Sequence, residues 1–198
     1  MRKEIIYKMF SNIPTLNTDR LILRKMQVND SADMHEYAKL ETVTRYLTWF
    51  CHKNEEYTRD YLKFIASRYN TGDFYDWAIV CKQNNKMIGT CGFTKFDFRS
   101  NKGEIGYVLN PLYWGHGYAV EAAREVMAFG FENLNLHRIE AKFILGNCAS
   151  LTVMKKLGMT FEGYARDEQY IKGQYKTIGT CAILCDEFKR HQNIVEVI

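Results

Sequence analysis

Leu109-Asn110-Pro111-Leu112-Tyr113-Trp114-Gly115-His116-Gly117-Tyr118-Ala119-Val120-Glu121-Ala122 is the stretch whose reading decides the fold. A strand-like run from Gly103 to Leu109 leads into it, Asn110-Pro111 turns the chain, and a helix pattern begins straight after two glycines spaced one residue apart. Successive backbone N–H groups at such a loop, with the positive end of a helix behind them, form a site for phosphate. Glycine suits it because the missing Cβ allows positive φ and close approach of a ligand to the main chain. A plain tight turn would use the same two residues, so the pair alone leaves both readings open.

The bulk numbers narrow the setting. A chain of 198 residues, 46% hydrophobic and 25% charged, suits one well-buried domain, read here as 1–198 with a lead-in at 1–18, frayed if anything, and a C-terminal tail at 186–198. Two prolines argue against a linker-rich chain. A net charge of +4 fits an anionic small ligand and is too diffuse to point to nucleic acid. No window is apolar for the length of a membrane span, and Met1-Arg2-Lys3-Glu4-Ile5-Ile6 opens no signal-like apolar run, so a cytoplasmic protein is expected. The cysteines, Cys51, Cys81, Cys91, Cys148, Cys181 and Cys185, form no C-x-x-C pair and read as free thiols, mostly buried. No histidine stands at a ligand spacing from Cys181 and Cys185, so no metal is expected.

Working outward, Leu21-Ile22-Leu23 reads as a first strand, Asn29-Asp30-Ser31 as a helix start, and Asn54-Glu55-Glu56 as the start of a second helix that stops near Gly72. Residues 42–53 between them are aromatic and irregular. Strands follow at Trp77–Cys81 and Met87–Phe93, joined across Asn84-Asn85, and then at Glu104–Leu109. The helix after the glycine loop spans about Ala119 to Asn133 and turns Ala119, Ala123, Val126 and Gly130 to one face. Arg138–Phe143 is a fifth strand. A short helix, Leu151 to Leu157, ends at Gly158, and two strands close the chain. A meander in front of alternating helices and strands predicts an α+β domain of three layers.

This order, with a phosphate-type loop between the fourth strand and the third helix, resembles the GNAT superfamily of acetyl-coenzyme A-dependent N-acetyltransferases. Four stretches carry the resemblance: Thr18-Asp19-Arg20-Leu21-Ile22-Leu23-Arg24, which looks like the opening strand of the ribosomal-protein (Rim-type) branch; Gly103 to Leu109; Trp114 to Ala122; and Asn147-Cys148-Ala149-Ser150 with Lys155-Lys156-Leu157-Gly158-Met159. The resemblance implies a GNAT-like α/β/α domain around a central mixed, mostly antiparallel twisted sheet. It implies acetyl-CoA as cosubstrate. The amides of Gly115, His116, Gly117, Tyr118 and Ala119 would hold the pyrophosphate, and the main chain of Tyr107, Val108 and Leu109 would pair with the pantetheine arm. Asn147 matches the family asparagine that binds that arm. Lys155 either reaches a phosphate or belongs to a solvated helix face. Trp114 stands where the family motif has Gln or Arg, a small change if that position contributes mainly backbone.

The chemistry sets further requirements. An amine acceptor, mostly protonated near neutral pH, must lose a proton before it attacks a thioester. Glu104, on the strand that would flank the thioester, is the expected base, against the reading that it is an ordinary paired strand residue. Alternation groups Glu104 with Gly106 and Val108 on one face and Ile105 with Tyr107 and Leu109 on the other. An N–H near Val108 or Leu109 would serve the carbonyl oxygen. The family's usual acidic tyrosine is Met154 here, which has no proton to give. Ser150 remains as donor to the leaving thiolate, as a helix N-cap, or both. Cys148 reads as a small buried residue, His116 as an exposed loop residue or phosphate neighbour, and His137 as structural. The aromatics from Tyr46 to Phe50, with Tyr75 and Trp77, either line the acceptor pocket or form core.

Two competing readings have specific support. Gly115-His116-Gly117 is half of a dinucleotide-binding fingerprint with Glu140 downstream, but Val120 replaces the third glycine and Asn110–Trp114 intervenes before the first. A coenzyme-binding module without turnover accommodates Met154. The acceptor, a protein N-terminus or a small amine, is not readable in the variable region, Asp30–Gly72 and the last hairpin. Neither is the oligomeric state, for which a homodimer is left open.

Overall fold

The computed structural model describes residues 3–195. Its order is α1 (Lys3–Ser11), β1 (Leu16–Asn17), β2 (Leu21–Arg24), α2 (Ser31–Ala38), α3 (Glu41–Thr44), α4 (Glu55–Thr71), β3 (Tyr75–Cys81), β4 (Lys86–Asp97), β5 (Lys102–Leu109), α5 (Tyr118–Glu132), β6 (Arg138–Ile144), α6 (Cys148–Lys156), β7 (Thr160–Ile171), β8 (Gln174–Leu184) and α7 (Cys185–Val195). One eight-stranded sheet runs through the molecule in the order β1-β2-β3-β4-β5-β6-β8-β7. Every neighbouring pair is antiparallel except β5 and β6. The expected mixed, mostly antiparallel α+β sheet is therefore present.

Side-chain alternation sorts the two faces. Trp77, Phe93 and Ile105 are buried toward α5, where the Trp77 ring lies 5.4 Å from Phe129. The intervening residues, Asp76, Gly92 and Gly106, form one row across β3, β4 and β5 on the opposite face. There α2 and α4 pack, with the Asp33 carboxylate of α2 accepting from Met87 N at 3.0 Å and the Tyr69 hydroxyl of α4 donating to Asp76 O at 2.6 Å. Close approach of α5 to the sheet depends on Gly130, where an added Cβ would stand 2.7 Å from Phe93 Cζ.

Two expectations are corrected at the ends. From Lys3 on, the lead-in is ordered into α1, which is amphipathic, buries Ile6 and Phe10 completely, and sets the Phe10 ring against Tyr75, Trp77, Phe96 and Phe129, while residues 1–2 lie outside the described residues. The stretch from Cys185 is not a bare tail either, because Phe188 in α7 is buried on Phe131 at 5.1 Å between centroids. The short helix α3 (Glu41–Thr44) runs into the stretch 42–53 that reads as irregular. Among the described residues no helix is long and apolar enough to cross a membrane.

Phe10 supplies the test of α1. Truncating a fully buried phenylalanine should cost about 3–5 kcal/mol, so Phe10→Ala is expected to lower the urea midpoint of unfolding by that equivalent. A loss under about 1 kcal/mol would mean that α1 does not belong to the core.

Candidate active site

The site begins where the parallel pair stops. β5 and β6 are in register from Lys102 opposite Arg138 to Ile105 opposite Ala141, and no further. Beyond that point β6 continues with β8 to Ile144, while β5 continues with β4 to Leu109. A wedge opens between them along Gly106 to Leu109. Asn110 N donates to Ile88 O at 2.7 Å, which makes Asn110 and Ile88 a hydrogen-bonded antiparallel pair. Alternation then turns the main-chain groups of Val108 toward β4 and those of Tyr107 and Leu109 toward the wedge. The expectation that all three residues offer their backbone there is thus narrowed to two.

The glycine loop stands at the open end of the wedge. Asn110 is buried, accepts from Leu112 N at 3.1 Å and donates to Glu36 at 3.0 Å, which fixes the turn. The Trp114 indole donates to Leu109 O at 2.8 Å, so this side chain ties the loop to the strand end and contributes more than backbone. Gly115 and Gly117 both adopt φ of +82°, and a Cβ on Gly115 would meet nothing within 4 Å. The first helical bond of α5 runs from Glu121 N to Gly117 O. Among the described residues, the amides from Gly115 to Ala119 find no acceptor in the protein. That orphaned row fits the pyrophosphate of coenzyme A, since helix N-termini leave such donors for an anion. His116 is exposed, and Lys155 is exposed in the last turn of α6, outside the residues that line the cleft.

Arg20 was not singled out by sequence, and it belongs to this corner. Its guanidinium donates to His116 O at 3.0 Å and to Glu121 at 2.6 Å, and lies 4.4 Å from the centre of the Tyr118 ring. Burial alone would raise the Glu121 pKa, but bonds from Thr18, from Arg20 N and from the guanidinium outweigh it and hold the carboxyl below its usual range. The acid near the loop is thereby neutralised by a cation that also braces it.

The wedge opens into a cleft of about 970 Å³ lined by Glu104, Gly106, Tyr107, Val108, Asn147, Ser150 and Met154, and walled by aromatic residues from the helical layer. Glu104 accepts from the Thr94 hydroxyl at 2.8 Å. Asn147 is the N-cap of α6, its Oδ1 accepting from Ser150 N at 3.2 Å. Ser150 is therefore not the cap, and among the described residues its hydroxyl has no hydrogen-bond partner in the protein. Tyr107 donates from its hydroxyl to Ser150 O at 3.0 Å, pinning α6 to β5, and burial pushes that phenol's pKa up. Cys148 is exposed, against the expectation of a small buried residue. Tyr46, Trp49, Phe50 and Tyr75 line the cleft, whereas Trp77 is core and donates to Pro14 O at 2.7 Å.

The cleft also contains Asp76, which sequence reading missed. Its signal was an acid within an otherwise apolar strand, at the alternation position opposite Trp77. Burial raises its carboxyl to about 7, although bonds from Thr90 and from Trp77 N work the other way. Among the described residues no group of three or more His, Cys, Asp or Glu is placed to hold a metal.

The profile of the acetyltransferase (GNAT) domain matches residues 20–160. The uncharacterized N-acetyltransferase p20 of Bacillus licheniformis is 34% identical over 88% of this chain and 98% of its own length. Spermidine N(1)-acetyltransferase of Escherichia coli is 27% identical over 78% of this chain and 80% of its own. A solved GNAT-family acetyltransferase from Bacillus anthracis superposes with a TM-score of 0.78 at 31% identity, over 87% of this chain and 99% of the other.

The loop makes its own test. Gly117→Val forces a β-branched residue into positive φ and misplaces the amides, so the Kd for acetyl-CoA is expected to rise about tenfold or more by calorimetry. An unchanged Kd would remove the loop from the site. With the orphaned amides, the wedge and the cleft in place, the chain belongs to the GNAT family of acetyltransferases, acyl-transferring enzymes that use acetyl-CoA.

Proposed function

We propose that the cleft acetylates a primary amine by direct attack on the bound thioester in a ternary complex. The observation that carries this is the wedge between β5 and β6, with free amides at one end and Glu104 on the cleft floor at the other. The cosubstrate supplies an activated acetyl group. The chain's own residues do the rest. Gly115 to Ala119 bind the pyrophosphate, helped by Arg20 at the loop. The wedge-facing backbone of Tyr107 and Leu109 orients the pantetheine arm, and the Leu109 N–H polarises the carbonyl. Asn147 spends its oxygen on the α6 cap and keeps its amide N–H groups for the arm. Glu104 takes the amine's proton, directly or through a water. The unengaged hydroxyl of Ser150 protonates the departing thiolate, a role that Met154 cannot fill. Lys155 is proposed only as a distant electrostatic contribution to the phosphates.

The acceptor class is a small amine or a protein N-terminus. The opening strand Thr18 to Arg24 resembles that of the ribosomal-protein branch, which supports the second. The name of the spermidine-acetylating relative supports the first. Oligomeric state and a cytoplasmic setting remain part of this proposal, a homodimer included.

Thiol release measured over a panel of N-terminal peptides, polyamines and amino sugars tests the reaction. Release with at least one amine is expected, and its absence with all of them would leave the coenzyme-binding module as the better reading. Glu104→Gln should lower kcat about 10²–10⁴-fold with the acetyl-CoA Kd unchanged. A variant with wild-type kcat and pH–rate profile would remove Glu104 from proton transfer.

A further inference from the structure

The cleft has a second carboxyl end. Asp76, Gly92 and Gly106 lie in register across β3, β4 and β5, two strand spacings or about 10 Å from first to last at the backbone. Gly92 leaves room for the acid: a Cβ there would stand 2.7 Å from Asp76 Oδ1 and 2.3 Å from Tyr75 O. Gly92 and Gly106 therefore make a low floor, crossed at Gly106 only by the Thr94 methyl, running from Asp76 to the strand that borders the wedge. Thr90 and Val108 form the next row on the same face, and Glu104 lies one row to the other side.

Asp76 accepts from Trp77 N at 3.1 Å and from Thr90, both neutral donors. Asp73 and Glu168 have cationic partners, Arg68 at 2.7 Å and Lys142 at 2.6 Å, whereas Asp76, like Glu104 with the Thr94 hydroxyl, has neutral donors alone. Among the described residues no Lys, Arg or His lies within 4.0 Å of the Asp76 carboxyl. Tyr37 of α2 also lines the cleft, and among the described residues its buried hydroxyl has no hydrogen-bond partner. Tyr61 of α4 is another cleft residue. A desolvated carboxyl, an orphaned phenol and aromatic faces are the groups that bind ammonium, by charge-assisted hydrogen bonds and cation–π contact.

We propose that Asp76, with Tyr37 and Tyr61, binds a second positively charged group of the acceptor, so that the preferred substrates are compact amines carrying another ammonium beyond the one acetylated. This rests on the reading that the cleft takes an amine. Asp76 acts by binding, two strands from the wedge, and is separate from the base Glu104.

Proton linkage gives the subsite a signature. With its carboxyl raised to about 7 by burial, Asp76 is largely protonated at pH 6 and must ionise to hold a cation. Of the groups around it, Tyr61 is raised to about 12 and Tyr37, Tyr69 and Cys91 are all raised by burial, while burial lowers the imidazole of His52, elsewhere in the cleft, so its titration lies to the acid side of Asp76's. Aliphatic diamines stay doubly charged from pH 6 to 8. Affinity for a diamine therefore rises across that range.

Calorimetric titration of diaminobutane and butylamine into the full chain and into Asp76→Asn tests it. Wild type is expected to bind the diamine about tenfold or more tighter than the monoamine. Asp76→Asn should abolish that preference, flatten the pH dependence of diamine binding and leave butylamine within about twofold. The amide keeps the bonds from Trp77 N and Thr90; Tyr37→Phe, which should weaken the diamine selectively, is the second variant if Asp76→Asn fails to fold. Equal losses for both amines, or no preference in wild type, would overturn the subsite. Thiol release with amines but without an Asp76-dependent diamine preference sinks the subsite and leaves acetyl transfer standing. Asp76-dependent diamine binding without thiol release from any amine does the reverse.

Discussion

The parallel pairing of β5 with β6 ends after Ile105 and Ala141, and the site depends on that ending. A parallel pair needs a crossover, and α5 supplies it between Leu109 and Arg138. β6 stays with β8 along the whole of Arg138 to Ile144 and β5 stays with β4 to Leu109, so the two strands part after Ile105 and Ala141 while each keeps its outer neighbour. The main-chain groups of Tyr107 and Leu109 are left facing a gap, and backbone groups in such a place require partners. The Trp114 indole satisfies one of them, at Leu109 O. An amide-rich arm laid in the wedge satisfies others as an added strand would. The same crossover places the start of α5 at the mouth of the gap, so the anion site and the strand-like site share one origin.

The layers on either side then divide the work. On the α5 face, small residues and Gly130 let the crossover helix lie close to the sheet, which holds the glycine loop against the end of β5. On the other face α2 and α4 stand over a floor made of glycines, and their tyrosines wall the cleft. Lys172, from the β7–β8 hairpin, donates to Thr44 O at 2.7 Å and lies 5.2 Å from the centre of the Phe50 ring, which holds the aromatic stretch 46–50 over the opening.

What the sequence made legible was local. The strand Gly103–Leu109, the spaced glycines and the cap-forming Asn147 announce themselves within a few residues, because turns, caps and alternation are short-range constraints. Ser150 was misplaced by a subtler local competition: Asn147 is also a good cap and sits three residues earlier, so the serine falls at N3 with its hydroxyl released. The short helix α1 was missed because its apolar stripe is only Ile6 and Phe10, whose partners lie on β3, β4 and α5. Asp76 was out of reach for the same reason. Its role depends on which face of β3 meets the cleft, and on a register passing two irregularities, at Ile79/Val80 and Phe93/Lys95. Tyr37 and Tyr61 arrive from separate helices, and no spacing rule joins them.

The proposed sites would hold donor and acceptor by different kinds of group. On the proposed reading the donor side relies on backbone amides, positioned by the sheet, by the α5 start and by the bracing side chains of Asn110, Trp114 and Arg20. The acceptor side relies on side chains from α2, α4 and β3, which can change without disturbing the wedge. Asp76 shows the energetic consequence. Its folded pKa, about 7, lies above the value of a free aspartate, so the folded state binds the extra proton between pH 4 and 7. Stability from this group falls as pH rises through that window, and the full penalty is present above it. A fold that places a carboxyl with neutral hydrogen-bond donors alone beside a glycine floor works against its own stability at neutral pH, as binding sites commonly do. A ligand ammonium removes that penalty on arrival, and the energy of its removal becomes affinity for the acceptor.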